Sequence, residues 1–144
     1  MSDHLLYDIL KPKFKYKNYG MAAKVLVVED ELVIQQMYAA KLELAGFEVR
    51  VAVNGTTGLE MAEVFRPDII LLDIRMPEMN GDEMLAHLRE KEWGANMRVI
   101  ILTNISRDEA PHVLRFLHVD RYVVKAHTTP AQVVQITQEV LAAN

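Results

Sequence analysis

The sequence contains no cysteine, so disulfide bonds and thiolate metal sites are excluded. No apolar run approaches the roughly 20 residues that a transmembrane helix needs. The first residues also lack the apolar stretch and the small-residue cleavage site of a secretory signal. With a formal net charge of −4, the chain lacks the positive charge that non-specific nucleic-acid binding requires. We therefore expect a cytoplasmic protein with neither a membrane nor nucleic acid as a direct partner.

What the sequence does contain is the composition of a single globular domain. Its 144 residues are 51% hydrophobic and 25% charged, which is enough for a real core. The segment KPKFKYKNYG near the N-terminus alternates lysine with proline and aromatic residues. We predict a flexible basic and aromatic extension over residues 1–21 and a folded domain over residues 22–144. The alternative for the extension is an arm that contacts an anionic partner.

From Lys24 onward, short β-branched runs alternate with segments of helical spacing. The first of these helical segments has apolar residues at Val33, Ile34, Met37, Tyr38 and Leu42. Five strands alternating with five helices imply a doubly wound α/β fold, in which one parallel sheet has helices on both faces. The predicted strands are residues 24–28, 47–53, 68–73, 97–103 and 121–124, and the predicted helices are residues 32–45, 57–65, 82–91, 107–117 and a last one that opens at 128–130.

Chemically active side chains stand where four of the predicted strands end. Glu29 and Asp30 follow the first strand, Asp73 ends the third, Thr103 ends the fourth and Lys125 follows the fifth. In parallel sheets of this kind, ligands bind beyond the carboxyl ends of the strands. Crowded carboxylates require a cation, and oxygen ligands favour Mg²⁺. A metal, an ammonium group and a hydroxyl around a carboxylate are the elements of phosphoryl transfer to that carboxylate.

Taken singly, each of these side chains also has an ordinary structural interpretation. An acid can cap a turn or begin a helix, a hydroxyl can simply end a strand, and a loop lysine can be solvated. Tyr122, in an apolar strand, can be a packing residue. The conjunction of all of them is what favours a functional site.

Together these motifs resemble the receiver domain of two-component response regulators, over roughly residues 22–143. VLVVEDE is similar to the acidic-pair strand of that family, and LLDIRMPEMNG is similar to its phosphoacceptor segment. ILTN carries the hydroxyl, and YVVK carries an aromatic residue three positions before the lysine. The resemblance implies a flavodoxin-like fold with strand order 2-1-3-4-5, as in chemotaxis regulators.

The resemblance also implies a role for each site residue. Asp73 would accept a phosphoryl group from a phosphohistidine on a sensor histidine kinase or a phosphotransfer protein. Glu29 and Asp30 would hold Mg²⁺ together with Asp73 and the backbone carbonyl of Arg75. Lys125 would pair with the phosphoryl group. Such a protein is a signalling switch rather than an enzyme, apart from its own phosphorylation and slow dephosphorylation.

Two further residues would carry the switch. Thr103 would move to hydrogen-bond the phosphoryl group, and Tyr122 would follow it inward. The surface around the fourth helix, fifth strand and fifth helix would then change shape, and a downstream protein target would bind there.

The sequence departs from the family pattern at several positions. Ala126 stands where a proline usually follows the lysine, and Asn104 stands where a small residue usually follows the hydroxyl residue. Residues 118–120 replace a glycine before the fifth strand. In the family, the positions of Arg75 and Ile105 influence the attacking water, so we predict that these two side chains slow hydrolysis of the phosphoryl group.

Two other classes of function remain as alternatives. The protein is a constitutive scaffold if Asn104 and Ala126 prevent phosphorylation. A metal-dependent phosphatase is less favoured, because it would need a second aspartate where Arg75 stands. The chain ends at Asn144, directly after the last predicted helix, which favours a stand-alone regulator or a phosphorelay intermediate over a piece of a longer transcription factor.

Overall fold

The computed structural model describes residues 22–143, so the predicted N-terminal extension over residues 1–21 lies outside the described residues. The described chain contains five strands and four α-helices. The strands are β1 (Lys24–Val28), β2 (Glu48–Ala52), β3 (Ile69–Leu72), β4 (Arg98–Thr103) and β5 (Arg121–Val124). The α-helices are α1 (Leu32–Leu44), α2 (Gly55–Phe65), α3 (Gly81–Glu90) and α4 (Pro130–Ala142).

The strands form one parallel sheet in the order β2-β1-β3-β4-β5, which confirms the predicted fold. Its three central strands are almost entirely buried, as expected for a parallel sheet that is covered on both faces. Their ends are aligned, because Val28 pairs with Leu72 and Leu72 pairs with Ile101. Within residues 22–143, no helix is long and apolar enough to cross a membrane.

Alternate residues of the central strands enter two separate hydrophobic cores, because successive side chains of a strand point to opposite faces. One core lies between the sheet and helices α1 and α4, and the other between the sheet and helices α2 and α3. The first includes Val25, Val27, Ile69, Leu71, Ile100 and Leu102, and the second includes Leu26, Val28, Ile70, Leu72, Val99 and Ile101.

The apolar face predicted for the first helix was partly wrong. Val33 is 84% exposed and Met37 is also exposed, whereas Gln35, Tyr38, Ala39 and Leu42 form the buried face of α1. The sheet packs against residues spaced three and four apart that include a polar glutamine, and hydrophobicity alone does not identify such a face.

The predicted helix over residues 107–117 was also wrong, because two short 3₁₀ segments, Arg107–Glu109 and His112–Phe116, replace it. Pro111 separates the two segments. A residue before proline is disfavoured in the helical region, and Ala110 is accordingly extended, with ψ of 145°. By contrast, α4 begins as predicted: Thr129 caps it in a reciprocal pair with Gln132, and Pro130 is in the first turn.

The amino ends of the strands, which we call the amino end of the sheet, are held by side chains that bond to the backbone. Arg89 donates to the carbonyl oxygens of Met97 (2.7 Å), Leu117 (2.8 Å) and His118 (2.9 Å). Arg89 therefore joins the loops that precede β4 and β5. Three further residues act in the same way: Asp68 accepts from the Lys24 amide, Asp120 from the Val99 amide, and Arg98 donates to the last carbonyls of α4.

Candidate functional site

At the opposite end of the strands, the carboxyl end of the sheet, acidic side chains converge. Glu29 and Asp30 follow β1, and Asp73 follows β3, which lies beside β1. One carboxylate oxygen of each lies within 4.8 Å of those of the other two. The parallel pairing of β1 with β3 brings these three residues together, although 43 positions separate Asp30 from Asp73 in the chain.

Asp73 is fixed by the backbone on both sides of it. Its amide donates to the Val28 carbonyl at 3.1 Å, which continues the pairing of β1 with β3 by one residue. Its Oδ1 accepts a hydrogen bond of 2.7 Å from the Ile74 amide. The residue is only 9% exposed, so its carboxylate is presented at the surface of the sheet end while most of the residue is buried.

The turn after Asp73 explains the Asn80-Gly81 pair in the sequence. Asn80 Oδ1 accepts from the Met76 amide at 3.2 Å, and the Gly81 amide donates to the Ile74 carbonyl at 2.7 Å. A Cβ atom at Gly81 would lie 1.9 Å from the Asp73 carbonyl oxygen, which is a severe clash. A residue without a side chain is therefore required for α3 to begin so close to Asp73.

Lys125 supplies the positive charge of the site. Its Nζ donates to Asp73 Oδ2 at 2.9 Å and also to Glu29 Oε1. Burial on its own would lower the pKa of Lys125, but the hydrogen bonds to Asp73 and Glu29 outweigh burial and raise it. The ammonium group therefore stays protonated at neutral pH and bridges two carboxylates.

The site has more negative charge than Lys125 balances, because three carboxylates face one ammonium group. Burial raises the pKa of Glu29 even though Lys125 and the Glu31 amide bond to its carboxylate, and the nearby charge of Asp73 adds to this rise. A divalent cation would relieve the excess charge. The donor set of Glu29, Asp30 and Asp73 consists of oxygen atoms only, which fits a hard cation such as Mg²⁺.

Two other predicted site residues, Thr103 and Arg75, follow or end strands at the same end of the sheet. Thr103 is 1% exposed and pairs with Val124, the residue before Lys125. The Thr103 hydroxyl accepts from the Ile105 amide at 3.4 Å. Arg75 is exposed in the turn that follows Asp73.

Tyr122, in β5, holds the loop after β4. Its hydroxyl donates to the Ile105 carbonyl at 2.7 Å, and the Arg107 guanidinium lies 5.7 Å from the centre of its ring. Burial raises the pKa of Tyr122, so its hydroxyl remains a donor at neutral pH. Tyr122 thereby connects the loop next to Thr103 with the first 3₁₀ segment.

Sequence reasoning missed two residues that shape the site. Gln35, buried in α1, donates to the carbonyls of Glu29 (2.9 Å) and Ala52 (3.0 Å) and so joins the ends of β1 and β2. Asn54 caps α2 in a reciprocal pair with Thr57, and its Nδ2 donates to Glu78 Oε2 at 3.4 Å, in the loop after Asp73. The sequence signal that could have identified Asn54 is its position directly before α2, because asparagine is a preferred N-cap residue.

The two unusual positions near Lys125 contact each other. Within residues 22–143 every peptide bond is trans, including that between Lys125 and Ala126. The Ala126 amide donates to Asn104 Oδ1 at 3.1 Å. Before β5, where the family usually has glycine, His118 adopts the left-handed conformation with φ of 53°.

Comparison with known proteins identifies the family. The model of the response regulator receiver domain matches residues 25–138. The chain therefore belongs to the receiver domains of two-component response regulators, which are phosphorylation-dependent signalling switches in general. Members of the family bind Mg²⁺ and interact with histidine kinases or phosphotransfer proteins.

Individual relatives agree with this assignment. The regulatory protein AtoC of Escherichia coli is 38% identical over 103 residues, which are 71% of this chain and 22% of AtoC. The polar-differentiation response regulator DivK of Brucella anthropi is 28% identical over 76% of this chain and 89% of its own length. The chain spans 22% of the length of AtoC and 35% to 44% of the length of six transcriptional regulators to which it is also similar.

Solved structures show the same fold. The chemotaxis protein CheY4 of Vibrio cholerae superposes with a TM-score of 0.77 at 31% identity, and the match covers 83% of this chain and 99% of CheY4.

Proposed function

We propose that this protein is a signalling switch that accepts a phosphoryl group on Asp73. A carboxylate oxygen of Asp73 attacks the phosphorus of a phosphohistidine on a sensor histidine kinase or a phosphotransfer protein. The new bond joins this oxygen to phosphorus, the phosphorus–nitrogen bond breaks, and its electron pair leaves on the imidazole nitrogen. Because the other ring nitrogen of the phosphohistidine carries a proton, the product is an acyl phosphate on Asp73 and a neutral histidine on the donor.

The observation that carries this proposal is the position of Lys125 between Asp73 and Glu29. Its Nζ lies 2.9 Å from Asp73 Oδ2, where it can bond to the negatively charged oxygen atoms of the phosphoryl group when they arrive. The Thr103 hydroxyl, at the end of the neighbouring strand, is the second donor that we assign to those oxygen atoms. Both groups act by position and charge, which is what phosphoryl transfer requires of a protein.

The three carboxylates around Asp73 fit a divalent cation, and we assign Mg²⁺ to Glu29, Asp30, Asp73 and the backbone carbonyl of Arg75. When bound, the metal would supply positive charge for the phosphoryl oxygens. Without compensation, the excess negative charge of the site would repel an incoming phosphoryl donor.

The output of the switch is a change of surface near Tyr122. A phosphoryl group brings about −1.5 to −2 charge beside Lys125 and Thr103, and it replaces the single negative charge of the Asp73 carboxylate. We propose that Thr103 turns toward this charge and that Tyr122 leaves the Ile105 carbonyl to follow it. Such a movement would alter the two 3₁₀ segments, β5 and α4. Phe116 in the second segment is 77% exposed and offers an apolar contact for a downstream protein target.

The test is the intact mass of the protein after incubation with acetyl phosphate or phosphoramidate, with Mg²⁺ and with EDTA. We expect a gain of one phosphoryl group that requires Mg²⁺ and is absent in Asp73→Asn. Because Asp73→Asn nearly preserves the shape of the side chain, we expect the variant to fold. Circular dichroism verifies its folding. Borohydride reduction followed by peptide mapping locates the modified residue.

The second candidate function is a scaffold that is never phosphorylated, because Asn104 and Ala126 stand beside the site where the family usually has a small residue and a proline. A folded sample that gains no phosphoryl group from either donor would favour the scaffold and reject the switch.

A further inference from the structure

Asn104 and Ala126, two residues that depart from the family pattern, form a hydrogen bond to each other although 22 positions separate them in the sequence. Asn104 follows the last residue of β4, and Ala126 is the second residue after β5. The Asn104 side chain crosses the gap between these two strand ends and accepts the Ala126 amide proton at 3.1 Å. A proline at position 126 has no amide proton and could not form this bond.

The bond acts on the backbone that carries Lys125. Residues Lys125–His127 form a single 3₁₀ turn, and both Ala126 and His127 are exposed. From this turn the Lys125 ammonium group reaches inward to Asp73 and Glu29. A proline would restrain such a turn through its fixed φ, whereas here Asn104 restrains it through a hydrogen bond.

A second side-chain hydrogen bond also holds this turn. The Thr128 hydroxyl donates to the Val124 carbonyl at 2.9 Å. This bond closes the turn on itself but does not connect it to β4. Asn104 is therefore the side chain that ties the Lys125 turn to the strand bearing Thr103.

We propose that Asn104 is a positioning residue for phosphorylation: its hydrogen bond to the Ala126 amide holds the Lys125 turn in place of the missing proline. This inference rests on the proposed function, because it concerns the rate at which Asp73 is phosphorylated. Asn104 acts through Lys125 and has no contact of its own with the transferred group in this account.

The test compares Asn104→Ala and Asn104→Leu, which remove the acceptor oxygen without and with retention of side-chain bulk. Phosphorylation by saturating phosphoramidate and Mg²⁺ is followed by intact mass. We expect both variants to react about two- to tenfold more slowly, the range that corresponds to one net hydrogen bond. His127→Ala, an exposed side chain of the same turn, is the control and should react at the wild-type rate.

Two readouts separate positioning from a general structural effect. In a Lys125→Ala background, followed over hours, Asn104→Ala should cause no further slowing, because the residue acts through Lys125. Hydrogen exchange of the Ala126 amide, which needs no phosphorylation, should become several-fold faster in both Asn104 variants.

An unchanged or faster rate in Asn104→Ala, or slowing that adds fully to that of Lys125→Ala, would overturn this inference while the wild type is still phosphorylated. A wild type that gains no phosphoryl group would instead remove the proposed function, and this inference with it.

Discussion

The two ends of the sheet use charged side chains in different ways. At the amino end, Arg89 and Asp120 bond to backbone groups of loops and strands. At the carboxyl end, Lys125 bonds to the side chains of Asp73 and Glu29. Backbone partners are fixed by the fold, whereas side-chain partners can be exchanged when a new charge arrives.

This difference separates structural charges from those available for signalling. Every acceptor of Arg89 is a carbonyl that would lose its partner if the guanidinium moved, which is unfavourable in a partly buried loop. The ammonium group of Lys125 faces acceptors that carry negative charge in excess, so in the proposed function a phosphoryl group on Asp73 would replace the Asp73 carboxylate as its partner without breaking a backbone contact. We therefore expect substitutions at the amino end to alter stability alone, and substitutions at the carboxyl end to alter phosphorylation and the response of stability to Mg²⁺.

Among the substitutions that test this difference between the two ends of the sheet, Lys125→Ala should have the largest effect. Removal of the ammonium group leaves Glu29, Asp30 and Asp73 without a cation, and we expect the free energy of unfolding to fall by about 3 kcal/mol in EDTA. Mg²⁺ should restore part of this loss, because it binds the folded protein. Thermal unfolding with and without Mg²⁺ measures both quantities.

The control for Lys125→Ala is Lys41→Ala, which removes an exposed lysine from α1. It should change neither stability nor its response to Mg²⁺. The pKa of Lys125 is raised above its ordinary value of 10.5. The ammonium group of Lys125 therefore stabilises the folded protein fully at neutral pH, and this stabilisation is lost only as the pH rises through the raised pKa. An equal response to Mg²⁺ in Lys125→Ala and the wild type would contradict the account of the site.

Arg89→Ala, at the amino end of the sheet, should show the opposite pattern: it should lower stability and leave phosphorylation unchanged. Loss of its bonds to the loops before β4 and β5 should cost about 2 kcal/mol in the free energy of unfolding, measured by urea denaturation. Phosphorylation per folded molecule should be unchanged, because Arg89 lies at the end of the sheet that is remote from Asp73. The exposed Arg115 provides the control, Arg115→Ala. A large loss of phosphorylation rate in folded Arg89→Ala would mean that the two ends are coupled.

A smaller effect is expected for the lifetime of phosphorylated Asp73. We predict that Ile105 and Arg75 slow the attack of water, so that wild-type dephosphorylation takes far longer than seconds. Ile105→Asn or Arg75→Asn should accelerate it about three- to tenfold, or about 0.7–1.4 kcal/mol of barrier. The decay of the phosphorylated mass after removal of the donor is the measurement. A wild-type lifetime of only seconds would show that these side chains do not shield the site.

The smallest effect should come from His118→Gly at the amino end. His118 has φ of 53°, a conformation that costs a residue with a side chain about 1 kcal/mol relative to glycine. The greater freedom of glycine in the unfolded chain offsets part of this gain. We therefore expect a stabilisation of about 0.5 kcal/mol by urea denaturation, with no change in phosphorylation. A clear destabilisation would indicate that the histidine side chain contributes contacts of its own.

Much of the fold was predictable because its signals are local. The strands are short β-branched runs, and the helix ends carry turn residues such as Pro67 and Gly46, so alternation of the two types could be predicted directly. The strand order was taken from the resemblance and is confirmed by the structure. The helix over residues 107–117 was predicted wrongly because the conformational restriction that Pro111 places on Ala110 outweighed the helical spacing.

The convergence of the acidic residues and Lys125 was also predictable, because the carboxyl ends of parallel strands meet at one place. The contacts of Gln35, Arg89 and Asn104 were not. Each contact is a hydrogen bond between a side chain and the backbone of another segment, and its partner is determined by packing between elements rather than by a local pattern. The same applies to the orientation of α1 on the sheet. The buried face of this helix includes a polar glutamine, so hydrophobicity alone does not identify it.

The most direct test of the central claim is a map of backbone amide resonances before and after phosphorylation with phosphoramidate and Mg²⁺, in the wild type and in Asp73→Asn. We expect shifts at the carboxyl end of the sheet, near Asp73, Thr103 and Lys125, that extend through Tyr122 into the two 3₁₀ segments. The loops held by Arg89 should not shift, and the variant should show no phosphorylation-dependent change. Shifts that persist in Asp73→Asn, or that are centred on the amino end, would contradict the assignment of the carboxyl end as the switch.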